Sequence, residues 1–119
     1  MSNISVGFCS VHGVFNLQFG SGSVYLCSHQ LLGLLMNIYK SEQAIFQQAL
    51  IFSINESLYQ KNFSGKRSFQ LDFGMLLVRL NREELLFFLI LLWKDFAEIM
   101  QSVLIYSDSN SEQMAHSLS

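Results

Sequence analysis

The chain repeats itself. Phe15 to Lys40 aligns without a gap on Phe69 to Lys94, 54 residues further along, and ten of the twenty-six pairs are identical. They are Phe15/Phe69, Leu17/Leu71, Phe19/Phe73, Gly20/Gly74, Val24/Val78, Leu26/Leu80, Leu31/Leu85, Leu32/Leu86, Leu35/Leu89 and Lys40/Lys94. Self-similarity at a fixed spacing means that the local structure taken by one segment is expected of the other. Two similar units, about 4–48 and 49–106, are therefore expected within a single domain of 1–106. Residues 107–119 are polar and aperiodic, and read as a disordered tail.

Within each unit the apolar residues first alternate, Phe15, Leu17, Phe19 and then Val24, Leu26, the period of half-buried strands. Gly20 and Gly74 mark turns. A four-residue loop between Phe19 and Val24 sets Val24 opposite Phe19 and Leu26 opposite Leu17, with Tyr25 and Cys27 opposite Gln18 and Asn16. The second hairpin then sets Arg79 opposite Asp72 as a cross-strand charge pair. Ile4 to Phe8 reads as a further strand.

After each hairpin the period becomes helical. Ser28 is the expected cap of the first helix, and Asn81 with Glu84 forms a capping-box pair before the second. The second helix is expected from about Arg82 to Tyr106. The first begins near His29, and Ala49 to Ile54 either extends it or forms a strand. Hairpins with one apolar face and helices needing cover predict an α+β fold, a two-layer sandwich. Its antiparallel sheet would have four to six strands, with two long helices on one face.

The second unit carries more apolar surface than the first. Phe87 and Leu91 project into the polar stripe of the second helix, where the first unit has Gly33 and Asn37; in the loops, Ser21, Gly22 and Ser23 become Met75, Leu76 and Leu77. A monomer seldom leaves such a patch open. Met75, Leu76, Leu77, Phe87, Phe88 and Leu91 are therefore the candidate protein interface, with a homodimer its simplest form. The alternative is that Phe87 covers the gap at Gly33 and the cluster is internal core.

Donor chemistry gathers at Cys9, His12, Cys27 and His29, a C-x-x-H followed by C-x-H. Thiolate and imidazole are the ligands zinc prefers, so a zinc-knuckle regulatory domain is a second reading. A third is a carrier of an apolar small ligand between sheet and helices. Catalytic arrangements are not found: Glu83 and Glu84 suit a helix start, Gly20 and Gly22 lie in a hairpin, and no Ser or Cys has both a His and an orienting carboxylate in view. No enzyme is expected.

A net charge of −2 and a single basic cluster, Lys61, Lys66 and Arg67, argue against nucleic acid, which requires clustered cations to displace counterions. Read from an authentic start at Met1, the first twenty residues lack the charged and apolar regions of a secretory signal. The longest apolar run, Leu85 to Trp93, is about half a membrane span. A cytoplasmic protein with reduced thiols is expected.

Cys9-Ser-Val-His12-Gly13, the strand Phe15-Asn-Leu-Gln-Phe19-Gly20 and the Glu-Leu-Leu helix start at Glu84 resemble a small family of bacterial proteins of unknown function from the Bacteroidota. In that family a Cys-x-x-Cys or similar turn precedes a Leu-x-Phe-Gly strand. His12 stands where the family often has a cysteine. The resemblance implies a cytoplasmic protein and no particular activity.

Overall fold

Alternation decides the first three elements. Ile4–Cys9 (β1), Val14–Phe19 (β2) and Gly22–Cys27 (β3) form an antiparallel sheet in the order β1-β2-β3. Phe15, Leu17, Phe19 and Leu26 face the core from it. Helices Ser28–Ser41 (α1) and Gln43–Ile54 (α2) follow, then a hairpin of Ser68–Asp72 (β4) and Leu77–Asn81 (β5), and helices Arg82–Asp95 (α3) and Ala97–Ser117 (α4). The computed structural model describes residues 4–20, 22–55, 68–74 and 76–117. The chain is α+β, with two small antiparallel sheets of three and two strands among the described residues in place of the single larger sheet expected.

Both hairpins are tighter than the sequence predicts. Phe19 pairs with Gly22, Leu17 with Val24 and Phe15 with Leu26, so the loop has two residues rather than four. The second hairpin sets Leu71 opposite Val78 and Gln70 opposite Arg79, and the Phe73 N–H donates to the Leu76 carbonyl at 2.9 Å. Asp72 thus does not face Arg79; its Oδ1 accepts from the Gly74 N–H at 2.8 Å. Gly20 and Gly74 open the two loops at φ of 62° and 84°, a region that only glycine enters without steric cost.

The helices break where no proline or glycine announces it. Glu42 and Phe96 each leave the helical region, at φ −137°, ψ 56° and φ −135°, ψ 51°. The expected helix from Arg82 to Tyr106 is therefore two helices. Ala49 to Ile54 is helical, and α4 continues to Ser117 through residues that composition assigns to a tail. Cys27, not Ser28, is the N-cap of α1, with its N–H donating to Gln30 Oε1 at 3.0 Å. At α3 the capping box forms as expected: Glu84 N–H donates to Asn81 Oδ1 at 2.8 Å and Asn81 N–H to Glu84 Oε1 at 3.0 Å.

Helices α1 and α3 lie 54 residues apart at both ends, and so do their flanking residues Cys27 and Asn81, and Glu42 and Phe96. Packing is crossed, since α2 lies along α3 and α4 along α1. Helix α3 is the centre of the molecule. Leu85, Leu86, Phe88, Leu89, Ile90, Leu92 and Trp93 are all buried on it, beneath β1, β4, β5 and α2. Full burial of one such side chain stabilises the fold by about 1.5–3 kcal/mol.

Candidate functional site

The candidate interface is divided by the structure. Phe88 is fully buried, its ring 5.4 Å from that of Phe19, so it belongs to the core and not to an interface. Leu76 and Leu91 are half-buried against the core. Phe87 and Leu77 are outside, 40% and 51% exposed. Phe87 does not cover Gly33, where a side chain would meet open space. Met75, like Lys61, Lys66 and Arg67, lies outside the described residues.

The four candidate metal ligands are not brought together. Cys9, Val14 and Cys27 form one cross-strand row with β2 in the middle. Two interstrand spacings put the cysteines about 10 Å apart, beyond the ~7 Å Cα limit of a disulfide, and both are free thiols. Among the described residues no three His, Cys, Asp or Glu side chains converge on a metal position.

Only Cys9 and His12 meet. The turn between β1 and β2 closes with the Gly13 N–H donating to the Cys9 carbonyl at 2.8 Å, Gly13 taking φ 63°. This brings Cys9 Sγ to 3.3 Å from His12 Nδ1 on the exposed tip of the hairpin. Sequence reasoning missed two exposed apolar side chains here: Val11 on the tip, at 85% exposure, and Phe8 on β1, at 51% with its ring 4.9 Å from that of Phe15. Phe8 falls on the alternating strand pattern, so its sequence signal points inward. Val11 lay in plain sight inside the C-x-x-H turn.

His29 sits elsewhere, on a cleft of about 640 Å³ between the start of α1 and the α3–α4 junction. Phe15, Leu32 and Phe96 line its apolar floor, and Ser28, Glu98 and Ser102 its polar wall. The corresponding place at α3 is bridged, with Arg82 Nη2 donating to Gln48 Oε1 at 3.0 Å. Ser28 and Ser102 stand 54 residues from Arg82 and Gln48 respectively, and are too short to bridge the space.

No family model, no curated protein and no solved structure matches the chain. Among the described residues no helix is long and apolar enough to cross a membrane.

Proposed function

We propose that the chain is a non-enzymatic protein-interaction module, an internal duplication of a hairpin-and-helix unit that forms a homodimer through the apolar surface of the second unit. The carrying observation is the exposure of Phe87 and Leu77 at positions where the first unit has Gly33 and Ser23. Apolar side chains of this size at the surface gain by leaving water, at about 25 cal/mol per Å², and an isologous contact lets one patch serve both partners. The duplication is supported by the shared 54-residue spacing of caps, helix ends and breaks. Two thiols too far apart to pair fit a reducing, cytoplasmic setting.

Native mass spectrometry and size-exclusion chromatography at low micromolar concentration test the reading. A dimer is expected, and Phe87→Ser with Leu77→Ser should yield monomers with an unchanged far-UV circular dichroism spectrum. A wild-type protein that stays monomeric up to high micromolar concentration overturns it.

A further inference from the structure

The tip of the β1–β2 hairpin carries a thiol and an imidazole that, among the described residues, meet only each other, in a single hydrogen bond. Zinc–sulfur and zinc–nitrogen bonds of about 2.3 and 2.05 Å at a tetrahedral angle place the two donors about 3.5 Å apart. Cys9 Sγ and His12 Nδ1 are 3.3 Å apart, so the turn already holds them at nearly the bite of a chelate. The Gly13 conformation and the Cys9 carbonyl bond that close the turn fix this spacing without help from the rest of the fold.

Two donors are half of a closed zinc site, and among the described residues no third joins them. A second molecule can supply the other pair. The tip itself favours a second copy of this chain: Cys9 to Val14 contains no Asp, Glu, Lys or Arg. Two such tips approach without like-charge repulsion and offer a charged foreign surface nothing to pair with. Val11, 85% exposed on the same tip, would be buried by the meeting. Two thiolates and two neutral imidazoles around Zn²⁺ give a site of zero net charge, which matches the uncharged tip that carries it.

We infer that Cys9 and His12 form a half-site for zinc, closed by Cys9 and His12 of a second copy into a tetrahedral Cys₂His₂ centre that joins two hairpin tips. On binding, each Cys9 thiol gives its proton to solvent and each His12 Nδ1 supplies its lone pair, so zinc enters and two protons leave with no redox change. The contact goes beyond the apolar dimer proposed above and uses different residues. Zinc would join two monomers, or two dimers, through the same four ligands.

Zinc titration under a phosphine reductant, followed by native mass spectrometry, tests this. Addition of zinc should double the mass of the starting species and add about 63 Da per pair of tips, one zinc less two protons. Cobalt in place of zinc should show the intense visible bands of tetrahedral thiolate coordination. Cys9→Ser and His12→Ala should each raise the zinc concentration needed for doubling more than about tenfold. Cys27→Ser, His29→Ala and the Phe87→Ser, Leu77→Ser pair should leave that concentration unchanged. Zinc bound one per chain without doubling, doubling that survives Cys9→Ser, or no zinc uptake overturns the inference. Failure of the apolar dimer alone shows instead as a monomer that zinc still doubles.

Discussion

The rings of Phe19 and Phe73, residues that hold the same place in the two hairpins, face one another with centroids 5.8 Å apart and planes tilted by 31°. Phe19 also reaches Phe88 of α3 at 5.4 Å. The two hairpins therefore meet at their turns, and the meeting is seated on the central helix. Three residues later the pattern repeats, for a Cβ on Gly22 would stand 3.0 Å from Leu76 Cδ2, and these two are again 54 positions apart.

Phe19 should matter more than its counterpart. Phe19→Ala removes a buried ring and both aromatic contacts, and should cost about 3–5 kcal/mol. Phe73 is only half-buried, so Phe73→Ala should cost clearly less. Urea unfolding of the two variants and of the double variant measures the coupling, expected at about 0.5–1.5 kcal/mol. Purely additive losses would show that the rings touch without interacting.

Two glycines near the first turn should respond differently to alanine. Gly20→Ala forces a side chain into a left-handed conformation and should destabilise by about 1–2 kcal/mol, whatever its neighbours. Gly22→Ala meets only the end of the Leu76 side chain. Its cost should shrink when Leu76→Ala is added, while that of Gly20→Ala should not. Thermal melts of the four combinations decide the point.

Adjacent phenylalanines on α3 give a sharp contrast. Phe88→Ala opens a cavity in the centre of the protein and should cost about 3–5 kcal/mol. Phe87→Ala should change the stability of the isolated chain by less than about 1 kcal/mol, because much of the ring is already in water. Comparable losses for both, by chemical denaturation of the monomer, would place Phe87 in the core.

Much of the fold was legible because the alternation of Phe15, Leu17 and Phe19 and of Val24 and Leu26 specifies which face of a strand is buried. The same alternation misplaced the pairing. A slip of two residues keeps every side chain on its own face, so a four-residue and a two-residue loop fit the pattern equally. The left-handed φ of Gly20 and Gly74 decides for the shorter loop. Helix breaks at Glu42 and Phe96 had no glycine or proline to reveal them. The four Cys and His ligands do not converge because of strand order, and spacing along the chain cannot show that β2 lies between Cys9 and Cys27. Phe87 and Phe88 are neighbours in a run apolar on nearly every side, and there periodicity cannot tell outward from inward.

Cap chemistry differs between the equivalent helices and should be transferable. Asn81→Ala removes the side-chain acceptor of α3 and should cost about 1 kcal/mol. Cys27→Asn replaces the weak sulfur acceptor of the α1 capping box with the amide oxygen that α3 already has, and should stabilise by up to about 1 kcal/mol. Guanidinium unfolding midpoints of both variants test the pair. A loss on Cys27→Asn would mean that the thiol packs in a way the amide cannot.

The meeting of Phe19 with Phe73 and of Gly22 with Leu76 has a consequence for how such a chain can change. In an assembly of two identical chains, any substitution beside the axis is made twice and confronts itself. Where both halves belong to one polypeptide, each half varies alone. Leucine can then occupy one side of the turn contact because glycine has been kept on the other, a lock and its recess that no pair of identical halves could hold. The same freedom lets Phe87 stand at the surface of α3 while Gly33, 54 positions earlier on α1, stays bare.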